Sequence, residues 1–104
     1  MTADGANGAS LQGAGAGGGI YLACRTFAGA GAITARGGVG GLYSGSGGGG
    51  RIAVAYADTN NWSGTLSYAA GSVNGGTGGN ANGTAGTIVW TYAPPPTGVL
   101  MMLR

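Results

Sequence analysis

Few side chains in this chain of 104 residues have types that could do chemistry. The only acidic residues are Asp4 and Asp58, there is no His, and the four basic residues are all Arg. General acid–base catalysis relies chiefly on His, Glu, Asp and Lys, and hydrolysis by paired carboxylates needs two acids close together. Because Asp4 and Asp58 lie far apart in sequence, we predict that the chain is not an enzyme.

Metal and cofactor sites lack the residues that they need. Zinc sites take three or four Cys, His or carboxylate ligands, and calcium sites take several clustered carboxylates. Cys24 is the single cysteine, so we expect a small core residue, with an interchain disulfide as the alternative. Two Gly-x-Gly-x-x-Gly matches, at 13–18 and 45–50, precede predicted strands, whereas a dinucleotide fingerprint follows a strand and opens a helix. We predict no cofactor.

The charge and apolar patterns also argue against two classes of partner. The net charge is only +2, which is a weak footprint for nucleic acid. No apolar run approaches the roughly 20 residues of a membrane span, and the first residues have no signal-peptide pattern.

Asn61 and Asn82 begin formal glycosylation sequons, which arise easily by chance in such a sequence.

Aromatic residues are the remaining candidates for binding. Tyr21, Trp62 and Trp90 could form a flat strip on which sugars stack. The alternative is that Trp62 and Trp90 fill the interior of the fold or pack between its faces.

The elements that would position these residues are built from very little side chain. Glycine supplies 27 residues, and Leu, Ile, Val and Phe together make up about 15% of the chain, below the level of about 20% expected of a globular core. Low apolar content signals disorder only when the net charge is high, which is not the case here. The composition therefore indicates a neutral structure held largely by its backbone.

Internal repeats organise the sequence. The stretch 17–24 matches 48–56 and 85–92, which makes Ile20, Ile52 and Ile88 equivalent at spacings of 32 and 36 residues. An aromatic residue, a Gly and a short alternating strand follow in the first two copies, at 27–35 and 62–69. Each element alternates as a strand does, and Gly this dense is hostile to helices. We predict an all-β chain.

A repeat of this length with two strands suits one coil of a solenoid that stacks on the next. We therefore predict a glycine-rich parallel β-helix of about three coils, in which Ile20, Ile52 and Ile88 form one ladder. An antiparallel β-sandwich is the alternative, because Asn7-Gly8, Asn74-Gly75 and Asn82-Gly83 favour two-residue hairpins.

The pattern Gly-Gly-Gly-x-Ile-x-Leu, followed by an aromatic and a Gly-rich loop, resembles the glycine-rich parallel β-helix repeats of bacterial secreted and cell-surface proteins. The resemblance covers about residues 13–92 and implies a stalk or an adhesive surface. Gly75-Gly76-Thr77 and Gly78-Gly79-Asn80 are weakly similar to the Gly-rich tips of phage fibre adhesins, which implies polyglycine-type packing.

These observations predict three segments: a flexible N-terminal segment at 1–12, solenoid repeats at 13–92, and a Pro-rich linker with an apolar tail at 93–104. We expect a non-catalytic structural subunit or segment of a filament, stalk or fibre, built by stacking β-coils, outside the cell, on a cell surface or on a virion. The alternative is an adhesin that binds a glycan or receptor through the aromatic strip. Its expected partners are further copies of itself or a longer β-helical host. The expected assembly contacts are Ile88, Val99, Leu100, Met101, Met102 and Leu103.

Overall fold

The computed structural model describes residues 1–92, which are all-β and include no helix. Three strands, β1 (Gly19–Gly29), β2 (Arg51–Trp62) and β3 (Thr87–Tyr92), form one sheet in the order β1-β2-β3. Both strand pairs are parallel, which excludes the antiparallel alternative for these strands. The described part contains no closed solenoid, and the molecule is extended, with dimensions of 65 × 25 × 17 Å.

The register of the sheet follows the sequence repeat. Ile20 pairs with Ile52, and Ile52 pairs with Ile88, so the predicted isoleucine ladder is confirmed. The alternation of the strands places these three residues on one face and Tyr21 on the other. A register shift between Cys24 and Thr26 then interrupts the pairing of β1 with β2.

The apolar core lies on the isoleucine face of the sheet and is thin. Side chains from the strands meet side chains from the segments that follow β1 and β2, because those segments fold back against the sheet. Ile52 and Val54, at the centre of the middle strand, are essentially inaccessible to solvent. The buried apolar residues are Ile20, Phe27, Ile33, Ala35, Ile52, Val54, Leu66 and Val73.

Outside the sheet, three glycine-rich segments, at 3–18, 35–50 and 73–86, form what we call the glycine array. Each segment is one layer, with an outward limb, a turn and a return limb that leads into the next strand. Within a layer the limbs are hydrogen-bonded at one repeated position: Gly15 donates to the carbonyl of Ala6, Gly47 to Gly38 and Gly83 to Gly76, all at 2.9 Å.

Hydrogen bonds of equal regularity join each layer to the next. The Gly17 amide donates to the Gly48 carbonyl at 2.8 Å, and the Gly49 amide donates to the Thr84 carbonyl at 2.8 Å. A Cβ added at Gly47 would overlap the Gly15 carbonyl oxygen in the layer below. Only glycine fits at such an approach, as at the axis of collagen, so the layers pack backbone against backbone at this position.

Residues 1–12, expected to be a flexible extension, are hydrogen-bonded along the second layer. Ala3 donates to the Thr34 carbonyl, and Gly8 donates to the Val39 carbonyl, each at 2.8 Å. The terminal ammonium of Met1 donates to the Ala32 carbonyl at 3.0 Å. The reason is that residues 2–5 repeat residues 34–37, a match that lies outside the stretches anchored on the isoleucines. The predicted tail at 93–104 lies outside the described residues.

Candidate functional site

The structure does not bring the three predicted binding aromatics onto one surface. Tyr21 is 71% exposed and lies on the face of β1 opposite the core. Trp90 pairs in register with Val54, so it lies on the core face of β3, where its side chain is 40% exposed. A single flat strip of Tyr21, Trp62 and Trp90 is therefore not formed.

Trp62 and Trp90 meet instead around Phe27, in what we call the aromatic cluster. The rings of Phe27 and Trp62 are stacked with their centroids 4.8 Å apart, and Trp90 meets Phe27 edge-on at 5.7 Å. Phe27 is buried, and Trp62 is half-buried. The Trp62 indole nitrogen has no hydrogen-bond partner among the described residues. Such geometry stabilises packing more than it presents a stacking platform.

A second aromatic contact lies further along the same face. Tyr56 of β2 and Tyr92 of β3 are in register, with ring centroids 5.4 Å apart. Sequence reasoning missed this pair, although the spacing of 36 residues that relates Ile52 to Ile88 also relates the two tyrosines.

The far end of the glycine array carries an exposed apolar patch, which we call the tip. Leu11 and Tyr43 occupy equivalent turns, closed by bonds from Gln12 to Ala9 (2.9 Å) and from Ser44 to Gly41 (3.0 Å). Both have positive φ, 67° and 63°, which bulky residues rarely adopt. Such strain clusters at functional sites. The exposed apolar residues of the tip are Leu11, Val39, Leu42 and Tyr43.

The edge of β3 that faces away from β2 is capped by the Tyr68 side chain. Thr87 donates to the Gly50 carbonyl at 3.0 Å, so the backbone groups of Thr87 face β2 and those of Ile88 face away from it. The Tyr68 hydroxyl accepts a bond from the Ile88 amide at 2.7 Å and donates to the Ile88 carbonyl at 3.4 Å. Ile88, a predicted assembly contact, is half-buried, and its amide and carbonyl are both bonded to the Tyr68 hydroxyl. The other predicted contacts, Val99, Leu100, Met101, Met102 and Leu103, lie outside the described residues.

Arg25, Arg36 and the two aspartates contact residues of other segments. Arg25 and Asp58 form an ion pair of 2.8 Å across the outer face of β1 and β2. The hydrogen bond to Asp58, and then its charge, raise the pKa of Arg25. Because this pair is exposed, its contribution to stability is small. Arg36 donates from its guanidinium to the Gly71 carbonyl at 2.7 Å, and its amide donates to the Asp4 carboxylate at 2.8 Å.

Residues that could hold a ligand are sparse in the described part of the chain. Residues 1–92 contain no pocket and no group of three His, Cys, Asp or Glu side chains that could hold a metal ion. Cys24 is half-buried in β1, with its Sγ 3.8 Å from the Ala55 carbonyl oxygen. The Asn82 side chain accepts a bond from the Gly78 amide at 3.0 Å, whereas Asn61 is exposed. Over the same residues, no helix has the length and apolar character needed to cross a membrane.

Comparison with known proteins finds no matching family model, no matching curated protein and no matching solved structure.

Proposed function

We propose that this protein is a non-catalytic structural segment of an extracellular, cell-surface or virion-surface assembly, built as a β-solenoid of three coils. In this proposal one coil consists of a strand, the segment that folds back against it, and the two limbs of one layer of the glycine array. The sheet would then be one wall of the solenoid, and the array would extend it along the long dimension of 65 Å.

The observation that carries the proposal is the repeated backbone bonding of the array. Each limb is bonded to its partner within the layer and to each adjacent described layer, through amides and carbonyls that need no particular side chains. Backbone bonds in several directions resist bending in each of those directions, so the fold suits a rigid spacer. The resemblance to β-helical stalks supports the same role, and the neighbours in the assembly would be copies of this chain or a longer β-helical host.

Spin labels at opposite ends test the proposed rigidity. In a Cys24→Ala background, labels at Ser10→Cys in the tip and Ala30→Cys beyond β1 should give a single, narrow distance distribution in double electron–electron resonance. A distribution as broad as that of the same protein in denaturant would overturn the proposal of a rigid spacer.

The location of the protein is tested separately. Immunogold labelling of intact, unpermeabilised cells that produce the protein, or of virions that carry it, should mark their surface or the material around them. Gold that is found only after permeabilisation would contradict an extracellular or surface role.

One observation favours an adhesin as the second candidate. The tip presents strained, exposed apolar turns at the end of an elongated body, which suits recognition of a glycan or a surface receptor. Tyr43→Ser should then abolish binding on a glycan array or to receptor-bearing cells, while Tyr21→Ser, a change at an equally exposed tyrosine elsewhere, should leave binding intact. Equal loss in both variants, or no binding by the natural protein, would remove this candidate.

A further inference from the structure

At one repeated position of the outward limb, a Cβ would be directed into the preceding layer. The position is occupied by Ala6, Gly38 and Gly76 in the three layers. A Cβ at Gly76 would overlap the Gly38 carbonyl oxygen, and a Cβ at Gly38 would overlap the Ala6 carbonyl oxygen. The first layer has no preceding layer in this chain, and there the residue is an exposed alanine. The same holds for Ala9, because a Cβ at Gly41 in the second layer would overlap the Ala9 carbonyl oxygen.

One repeated position of the return limb has the opposite direction. Gly17, Gly49 and Ala85 occupy one repeated position. A Cβ at Gly17 would overlap the Ala35 carbonyl oxygen, and a Cβ at Gly49 would overlap the Val73 carbonyl oxygen, in each case in the following layer. In the third layer the residue is again an exposed alanine. At these three positions the described chain has glycine where another described layer lies against the residue, and alanine in the first or third layer, on the side that no described layer covers.

The two end faces of the array nevertheless present matching backbone groups. The upper face, on the third layer, offers the amides of Gly75 and Ala85, whose counterparts in the lower layers donate to the layer above. The lower face, on the first layer, offers the carbonyls of Asp4 and Ala16, whose counterparts accept those bonds. None of these four groups has a backbone partner among residues 1–92.

We propose that the upper face of one copy of this chain is complementary to the lower face of a second copy. Four residues, however, prevent the two faces from stacking head to tail. The methyl groups of Ala6 and Ala9 close the lower face. The methyl group of Ala85 and the Tyr68 hydroxyl, bonded to the edge of β3, close the upper face. The inference rests on the three-coil arrangement of the proposed function, and it directs contacts within an assembly to the sides and the tip of the body.

The physical reason is that an alanine Cβ is rigidly fixed to the backbone. If a copy approached at the spacing of the inner layers, the Ala6 methyl would overlap the Gly76 carbonyl oxygen of the other copy, as a Cβ at Gly38 would overlap Ala6. The faces would then have to separate, and every backbone bond across the junction would be lost. Repeated head-to-tail contact produces open filaments, so closed faces would keep copies of this chain from extending the array in that way.

Complementary variants give a sharp test. Tyr68→Ala/Ala85→Gly opens only the upper face, and Ala6→Gly/Ala9→Gly opens only the lower face. By sedimentation velocity over a hundredfold concentration range, each variant alone should show the same size distribution as the natural protein. An equimolar mixture should form a one-to-one dimer and no larger species, because each dimer keeps one closed face at either end. The quadruple variant should form oligomers that grow with concentration.

Matched controls separate steric closure from a general effect of added glycine. Ala14→Gly/Ala81→Gly makes two changes within the array, at alanines that are neither among the four closing residues nor among the four exposed backbone groups. This control should keep the size distribution of the natural protein, as should Tyr68→Ala alone. Circular dichroism and cooperative unfolding would verify that each single-face variant is folded before mixing. A single-face variant that associates further by itself, a mixture that forms no new complex, or a control that associates equally would overturn the inference.

These outcomes are distinct from failure of the proposed function. If the mixture stays monomeric while the spin-label distance remains narrow, the inference of closed faces is wrong and the rigid segment stands. A broad distance distribution in the natural chain would instead defeat the proposed function.

Discussion

The hydroxyl of Tyr68 is bonded to both backbone groups of Ile88, accepting from the amide at 2.7 Å and donating to the carbonyl at 3.4 Å. A single side chain thus takes the place that a fourth strand would occupy at one residue of the sheet edge. Native proteins commonly protect exposed strand edges by covering them.

Removing this hydroxyl should loosen the edge of β3. We expect Tyr68→Phe to lower the free energy of unfolding by about 1 kcal/mol, because the Ile88 amide loses its acceptor. Hydrogen exchange of the Ile88 amide, followed by NMR, should become faster. Tyr21→Phe is the control, since Tyr21 is exposed and makes no side-chain hydrogen bond in the described part of the chain; equal effects from both changes would contradict the capping role.

Glycine should be required at Gly47 but not at Gly45. A Cβ at Gly47 would overlap the Gly15 carbonyl oxygen, whereas a Cβ at Gly45 meets no atom within 4 Å. We expect Gly47→Ala to lower the free energy of unfolding by about 3 kcal/mol or more, since rigid backbone must move. Gly45→Ala should be neutral or stabilising by up to about 1 kcal/mol. Chemical denaturation of both variants measures the contrast, and similar midpoints would contradict the close backbone packing of the layers at Gly47.

The small core should be sensitive to its central residue. Ile52 is fully buried between two other isoleucines of the ladder, while Ile88 at the sheet edge is half-buried. We expect Ile52→Ala to cost about 2–5 kcal/mol, enough to leave a large unfolded fraction in so small a protein. Ile88→Ala should cost clearly less. Thermal unfolding by circular dichroism makes the comparison, and the reverse order would mean that β2 is not the central strand.

The two tryptophans should report different environments. Trp62 stacks on buried Phe27 and is half-buried, whereas Trp90 is 40% exposed. The variant Trp90→Phe, which leaves Trp62 as the sole tryptophan, should emit at shorter wavelength and be quenched less by acrylamide than the variant Trp62→Phe. Equal quenching in the two variants would contradict the aromatic cluster.

The sequence predicted the sheet better than it predicted the surfaces. Ile20, Ile52 and Ile88 stand at the start of alternating apolar stretches, so their spacing was enough to predict both their ladder and the parallel pairing. The first layer was harder, because residues 3–18 contain almost no apolar side chain and their order depends on backbone bonds to residues 34–48. A pattern of hydrophobic residues carries no signal for such bonds.

The aromatic residues show a second limit. Tyr21 and Trp90 were assigned to one strip because they are aromatic, but the register of the strands places their side chains on opposite faces of the sheet. The positive φ angles of Leu11 and Tyr43 could not be predicted from the sequence for another reason. Turns with positive φ usually carry Gly or Asn, so a Leu or a Tyr gives no warning of such a conformation.

The glycine array also determines how the protein should respond to temperature. Unfolding exposes much peptide backbone there and little apolar surface, and these two kinds of exposure change the heat capacity in opposite directions. The heat-capacity increment per residue should therefore fall below the usual value of about 12–15 cal/mol/K. A smaller increment flattens the curve of stability against temperature, so this fold should lose little stability on cooling and should be unusually resistant to cold denaturation.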